Sequence, residues 1–264
     1  MHRIHFIEIE DQPWCPRAIR DATTDYLQLI LNLTQTYEPI ASRLEQAIAR
    51  SGSRQIIDLC SGGGGPWLRL HSLVTKAHTQ SPGVLLTDKF PNLAAFERAR
   101  RLSAGKLDFR VEPLDATHVP PELKGFRTLF TSFHHLRPEA ARALLRDAVQ
   151  QRQPIAVFEA GHRSWMALAL TALVPLHILA LMPFVRPFRW SSLLWTYLLP
   201  AVPLFTLFDA IISCLRVYSP EELRAMTEEF RGMGYHWEIG EQRGRMPVPI
   251  TYLIGYPEGS IGGQ

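Results

Sequence analysis

Apolar residues recur at helical spacing through residues 17–50, with Ile19, Tyr26, Leu27, Ile30, Leu33, Leu44 and Ile48 falling on one stripe. Pro39 begins or breaks a helix inside this segment, and Ser51-Gly52-Ser53 ends it. The pattern then changes to short apolar runs. Strands are predicted over 55–60, 84–87, 107–111, 127–132 and 155–159, with helices from Trp67, over 93–102, and from Pro138 to about Gln150. Strands that are apolar throughout, alternating with helices, predict a mostly parallel sheet covered on both faces. Near the end, Ser219-Pro220-Glu221-Glu222 is a strong helix start, with a capping serine, a proline in the first turn and a glutamate placed for a capping box. That helix should end near Gly232–Gly234. Two last strands, over 235–239 and 250–255, should follow, joined by a long polar loop.

A block of different composition lies between the two halves. From 165 to 212 the only charged residues are Arg186, Arg189 and Asp209. Each of its two uncharged runs approaches the ~20 residues of a membrane span. Pro175, Pro183, Pro200 and Pro203 interrupt them, and His177, Ser191, Ser192 and Thr196 dilute them. Three readings stand open. The block is a helical lid over a substrate, an interfacial hairpin, or a pair of membrane spans. In the interfacial reading Trp165, Trp190, Trp195 and Tyr197 lie near headgroups, and Arg186 and Arg189 meet lipid phosphate. A greasy lid would otherwise bury itself against an apolar ligand or in a homodimer interface.

The chemistry concentrates in Ile56-Ile57-Asp58-Leu59-Cys60-Ser61-Gly62-Gly63-Gly64-Gly65-Pro66, just after the first strand. A glycine loop there lets the backbone approach a ligand, and the following helix N-terminus favours its polar groups. A dinucleotide fingerprint requires G-x-G-x-x-G. Counted from Gly62, the third glycine is replaced by Trp67, which disfavours a nicotinamide-dependent oxidoreductase.

Asp58-x-x-x-Gly62-x-Gly64 resembles motif I of the class I S-adenosylmethionine-dependent methyltransferases. Asp88, thirty residues after Asp58, stands where this family carries an acidic residue at the end of the second strand. The resemblance covers roughly residues 54–160 and 217–256. It implies an α/β fold with a Rossmann-like sheet of seven mostly parallel strands. It also implies S-adenosyl-L-methionine as cofactor and a methyl acceptor as second substrate. Domain bounds follow: an N-terminal helical cap over 1–52, the cofactor-binding domain over 53–162 and 213–264, and the apolar insertion over 163–212. By resemblance, Asp58, Cys60, Ser61, Gly62 and Gly64 of the loop, Asp88 and Lys89, Asp115 and Ala116, and Ser132 hold the cofactor. Asp88 is assigned the ribose hydroxyls, since a carboxylate can accept from both hydroxyls of a diol. Asp115-Ala116 is assigned the adenine. Cys60 reads as a small packed residue rather than a nucleophile. Residues 131–136 line the methyl-transfer region in this family, which makes His134 and His135 candidates for a base or a substrate contact. Glu159, at the end of the fifth strand, is placed at the ligand-bearing edge of the sheet. The N-terminal segment often closes over cofactor and acceptor, which nominates Trp14, Arg20, Asp25, Tyr26 and Tyr37 for the substrate pocket.

A sulfonium methyl is already electrophilic, so the protein need mainly align a nucleophile and exclude water. A general base is required only for a poorly nucleophilic acceptor. The insertion points to a small hydrophobic acceptor. The rival reading is a membrane-associated, non-enzymatic binding protein that retains the fold.

Bulk composition refines this picture. The chain has 264 residues, 46% hydrophobic and 20% charged, as a folded protein should be. Its net charge is only +3, without a dense basic run, so nucleic acid is not an expected partner. Cys15, Cys60 and Cys214 form no paired motif, and no spacing of His and Cys marks a metal site, so neither disulfide nor metal is expected. Glu8, Glu10 and Asp11 occupy the stretch where a secretory signal carries its apolar run, and the expected location is the cytoplasm, with the membrane surface as the extension of that reading.

Overall fold

The computed structural model describes residues 1–75, 82–244 and 247–259. Residues 245–246 of the predicted polar loop, 76–81 within the central domain and 260–264 at its end lie outside the described residues.

Residues 1–16 form a non-helical strap. The first helices are α1 (Arg17–Leu33) and α2 (Ala41–Ser51), separated by a 3₁₀ turn over Glu38–Ile40 that Pro39 opens. Helix α2 stops where Gly52 takes the left-handed conformation, φ 63°. The alternation that follows is β1 (Gln55–Asp58), α3 (Trp67–Val74), β2 (Gly83–Leu86), α4 (Leu93–Leu102), β3 (Leu107–Phe109), β4 (Phe126–Phe130), α5 (Pro138–Gln150) and β5 (Ile155–Glu159). Strands β1 and β4 are each two residues shorter at the C-terminal end than their apolar runs. Cys60 and Thr131 have φ of 57° and 45°, left-handed values that a strand cannot carry.

The insertion contains α6 (Trp165–Thr171), α7 (Val174–Leu181), a 3₁₀ turn over Met182–Phe184, α8 (Trp190–Leu193) running into a π-helical turn over Leu194–Leu198, and α9 (Ala201–Arg216). Its prolines punctuate elements rather than kink them: Pro175 lies in the first turn of α7, Pro183 in the 3₁₀ turn, and Pro200 just before α9. The chain closes with α10 (Pro220–Thr227), β6 (Tyr235–Gln242) and β7 (Ile250–Pro257). The capping box forms as expected, with Ser219 accepting from Glu222 N–H and the Glu222 carboxylate accepting from Ser219 N–H. Helix α10 ends earlier than Gly232, because a 3₁₀ turn over Glu228–Phe230 replaces its last turn.

The seven strands lie in the order β3-β2-β1-β4-β5-β7-β6. All pairs are parallel except those of β7, which runs antiparallel to both β5 and β6. Strand order reverses between β1 and β4, so the crevice at their C-terminal ends is the place where such a sheet receives a ligand. Every residue of β4 and β5 is buried, as strands covered on both faces must be. Two apolar layers flank the sheet. One is built around Trp67, Phe96, Phe130 and Phe158, the other around Phe133, Leu145, Tyr218 and Phe230. A third core joins Ile19, Ala22 and Tyr26 of α1 to Ile178, Met182, Val185 and Val202, so the N-terminal helix and the insertion share one interior.

Two of the three charges in the apolar block fasten it to the rest of the chain. Arg189 bonds the Asp25 carboxylate and donates to Asn92 Oδ1 at 2.8 Å. Asp209 accepts from the N–H groups of Ile9 and Glu10 at 2.7 and 3.0 Å, which ties the strap to α9. Arg189 therefore faces inward and not toward lipid phosphate, correcting that expectation. Asp25 is likewise spent on this pairing, 1% exposed, and lines no substrate pocket. Removing one partner of a buried ion pair strands the other, at a cost of about 3–5 kcal/mol. Arg189→Ala should therefore lower stability by that order in urea unfolding monitored by circular dichroism, and Arg189→Lys by clearly less.

Candidate active site

A cavity of about 470 Å³ opens at the C-terminal ends of β1, β2, β3 and β4, within the range of about 300–1,000 Å³ usual for ligand pockets. Cys60, Ser61, Gly62 and Gly63 supply the wall after β1, Asp88, Lys89 and Phe90 that after β2, and Asp115, Ala116 and Thr117 that after β3. Thr131, Ser132, His135 and Leu136 line it beyond β4. Arg20, Asp21, Thr24, Leu27 and Gln28 of α1 form the facing wall, with Glu10 and Asp11 of the strap at one end. Cys60 and Thr131, two of the five non-glycine residues with left-handed backbone among the described residues, both line this cavity. Left-handed backbone in non-glycine residues costs about 1–3 kcal/mol and concentrates at sites of function.

Asp88 sits at the centre of the floor. Its carboxylate accepts from Gly62 N–H at 2.8 Å and Phe90 N–H at 2.7 Å, which fixes its orientation beside the glycine loop. Burial raises its pKa against those two bonds. Helix α4 is capped by Asn92, whose side chain accepts from Ala95 N–H, so Asp88 has no capping duty. Lys89 and Asp115 pair at the rim at 3.1 Å. Asp115 also accepts from Thr117 N–H and hydroxyl, and these bonds with Lys89 hold its carboxyl below the ordinary range despite partial burial.

Asp58 is not on the cavity wall. One carboxylate oxygen accepts from the Ser61 hydroxyl and the other from the Thr128 hydroxyl, both at 2.7 Å. It is a strut beneath the loop, holding it through these two hydroxyls. Burial pushes its pKa up to about 6. Gly64 also faces away from the cavity, with φ 101° and the Gln28 side chain against it. The loop's glycines serve α1 as much as any ligand. A Cβ on Gly63 would stand 2.6 Å from the Thr24 carbonyl oxygen, and Gln28 donates to the Gly63 carbonyl. Trp67, at the third-glycine position, is fully buried edge-on to Phe130 and closes the core.

The three residues nominated for catalysis separate. Only His135 lines the cavity. Glu159 is 1% exposed and receives the N–H groups of Ser132, Phe133 and His134 on Oε1, so it pins the turn after β4. Its other oxygen meets His134 Nδ1 at 2.6 Å, and His134 is itself 1% exposed. Neither reaches the cavity wall, which corrects their nomination as groups that contact substrate. Of the substrate candidates, Arg20 lines the cavity, donating to the Glu10 and Gln12 carbonyls at 2.8 and 2.5 Å and lying 4.0 Å over the Phe90 ring. Trp14 is 62% exposed and outside it. Tyr26 lies in the core shared by α1 and the insertion, and Tyr37 in the main core beside Phe130, its hydroxyl bonded to Thr131.

A charged group missed in the sequence stands behind the cavity. Arg216, 1% exposed, donates to the carbonyls of His134 and His135 and pairs with Glu8 at 3.1 Å and Asp11 at 3.3 Å. His135 Nδ1 lies 2.8 Å from a carboxylate oxygen of each of Glu8 and Asp11. Burial opposes charge on His135, but those two carboxylates outweigh it and hold the imidazolium well above its ordinary range. The insertion contributes no residue to the cavity wall, so the lid reading is not what the structure builds.

The strand order, the glycine loop at the switch point and the acidic residue ending β2 together define the class I S-adenosylmethionine-dependent methyltransferase fold. Solved structures agree at the level of fold. The chain is similar to a SAM-dependent methyltransferase from Aquifex aeolicus, with 14% identity and a TM-score of 0.51 over 89% of this chain and 97% of that one. It is also similar to the methyltransferase domain of bacterial CtHen1, with 12% identity and a TM-score of 0.50 over 84% and 99%. No family model and no curated protein matches the sequence.

The strut under the loop gives a pH test. The folded state holds the Asp58 proton to about pH 6, whereas the unfolded chain releases it near its ordinary 3.8. The associated stability is full below that lower value and is lost as pH rises through about 6. The stability of wild type relative to Asp58→Asn should therefore fall by about 2 kcal/mol between pH 4 and 7, read from urea midpoints.

Proposed function

We propose that this protein is an S-adenosylmethionine-dependent methyltransferase acting on a small hydrophobic acceptor at a membrane surface. The observation that carries the reading is the Asp88 carboxylate, locked by Gly62 and Phe90 amides on the floor of a ligand-sized cavity at the switch point. The group fits the residues present. Asp88 would take the ribose diol, Ala116 and the Lys89–Asp115 pair would flank the adenine, and Ser61, Gly62 and Ser132 the methionine end. When bound, the cofactor supplies an activated methyl. The chain's own residues place the acceptor. Leu27, Leu31, Phe130, Leu136 and Ala140 give the remaining wall an apolar lining, and Arg20 and His135 offer polar contacts. Alignment in a closed site of this kind does most of the work for an already electrophilic methyl.

Surface chemistry supports the membrane part. Sixteen of the twenty-five exposed large hydrophobic side chains among the described residues lie between Trp165 and Ile211. Trp165 and Trp190 are each 78% exposed, and Leu198 is 73% exposed. The segment Trp165–Phe184 is long and apolar enough to cross a bilayer, yet only 17% of it is buried, unlike a core helix. Exposed Arg186 lies 5.8 Å from the Phe188 ring, beside Trp190. Aromatic residues with a flanking cation are the usual chemistry of the headgroup zone.

Calorimetric titration with S-adenosylhomocysteine should give micromolar binding, lost in Asp88→Ala and absent with NADH. No binding to folded wild type would sink the cofactor reading. In flotation with anionic phospholipid vesicles, wild type should rise with lipid, and a Trp165→Ser, Trp190→Ser double variant should rise less. Protein that stays at the bottom and sediments as a dimer would show that a second copy covers this face instead.

A further inference from the structure

We propose that Glu8, His134 and His135 form a binding site for a divalent transition-metal ion behind the inner end of the cavity. Nothing in the methyl-transfer reading uses this cluster as a unit, and no spacing along the chain announces it, since the strap and the turn after β4 are brought together only by the fold.

Four observations point the same way. The first is spacing. One donor atom from each of the three residues lies within 4.8 Å of the others. His134 Nε2 is 3.8 Å from Glu8 Oε1, and His135 Nδ1 is 2.8 Å from Glu8 Oε2. Metal bonds of about 2.0–2.2 Å place neighbouring tetrahedral ligands about 3.3–3.6 Å apart, and the two contacts, one to each oxygen of Glu8, lie on either side of that range.

The second is unused donor capacity. His134 and Glu8 are 1% and 0% exposed, and His134 Nε2 has no hydrogen-bond partner. Buried polar atoms are nearly always satisfied, and an orphan costs about 1–3 kcal/mol. At 3.8 Å the imidazole nitrogen and the Glu8 oxygen are too far apart to bond directly. A cation beside Glu8 would give the imidazole nitrogen the partner it lacks.

The third is support from behind. Glu159 holds His134 Nδ1 at 2.6 Å, and its other oxygen is fixed by three backbone amides, so the ring is locked with Nε2 turned toward Glu8. A carboxylate on the far nitrogen of a ligating histidine is the common arrangement in metal sites, where it fixes the tautomer and raises ligand basicity. Arg216 holds the opposite side, at 3.1 Å from Glu8 Oε1.

The fourth is charge and donor type. Glu8, Asp11 and Glu159 crowd the two imidazoles, with Glu10 3.6 Å from His135 Nε2, and Arg216 is the guanidinium that pairs with Glu8 and Asp11. Two imidazoles with one or two carboxylates suit zinc, iron or manganese in the divalent state. Asp11 and His135 also line the cavity, so a bound ion would sit beside the space in which the proposed reaction places its acceptor. That placement rests on the proposed reaction; binding of the ion does not.

The test uses the full chain stripped with chelator and titrated calorimetrically with Zn²⁺ and with Mn²⁺, without S-adenosylmethionine. One ion per chain should bind at micromolar or tighter affinity. His134→Ala should lose at least 100-fold, and Glu159→Gln, which keeps the buried shape, 10–100-fold. The exposed His236→Ala should bind as wild type. As a reading that needs no variant to fold, Co²⁺ bound to wild type should give strongly shifted imidazole N–H proton resonances. Absence of binding by either ion, affinity unchanged in both variants, or a Co²⁺ complex without imidazole signals would overturn the site. It would leave a protonated His135 bridging Glu8 and Asp11 as the whole function of the cluster. Because the titration omits the cofactor, failure here is distinct from failure to bind S-adenosylhomocysteine.

Discussion

Arg216 is the constraint on which the geometry of this site depends. A guanidinium cannot shed its charge, so burying it requires that its donors be met by oxygen. Four are, by the carbonyls of His134 and His135 and the carboxylates of Glu8 and Asp11. Those partners come from the turn after β4 and from the N-terminal strap, while Arg216 itself ends the last helix of the insertion. Arg3 adds to the same knot, donating to the Arg216 carbonyl at 2.6 Å and lying 3.9 Å over the Tyr218 ring. One side chain thereby sets where the strap, the insertion and the turn after β4 stand relative to one another.

The sheet and its covering helices were legible because they are written locally. Helices α3, α4 and α5 and strand β5 fall on the residues their apolar periods and caps predict. The glycine loop and Asp88 could be located for the same reason, as features of single turns. What local reading misplaced was side-chain direction. Asp58, His134 and Glu159 are polar groups at strand ends, where ligands gather, yet each is turned inward: Asp58 to the hydroxyls of Ser61 and Thr128, and Glu159 to the amides of the turn after β4 and to the His134 ring. Tyr26 is buried between α1 and the insertion, and Tyr37 in the main core behind Phe130, so neither side chain reaches the cavity. The usable signal that was passed over is the isolated charge in an apolar block. Asp209 and Arg189 had to find buried partners, and those partners, the strap and α1, are the walls of the site.

The insertion completes a division of labour. Its inner side shares a core with α1, its two inward charges fix it, and its outer side is apolar without covering the cavity. Folding stability needs only the inner side. An outer face of this composition is therefore set by what it touches, not by how the chain folds.

Backbone contact between Gly63 and Thr24 leaves no slack between the loop and α1. At Gly63 the close approach leaves no room for a side chain, and around it Thr24 and Gln28 of α1 pack on the rest of the loop. The far side of the same helix is seated on α8 and α9. One helix thus carries the greasy surface on one side and the turn beside Asp88 on the other, so the shape of the cavity floor and the seating of the insertion are set by the same α1.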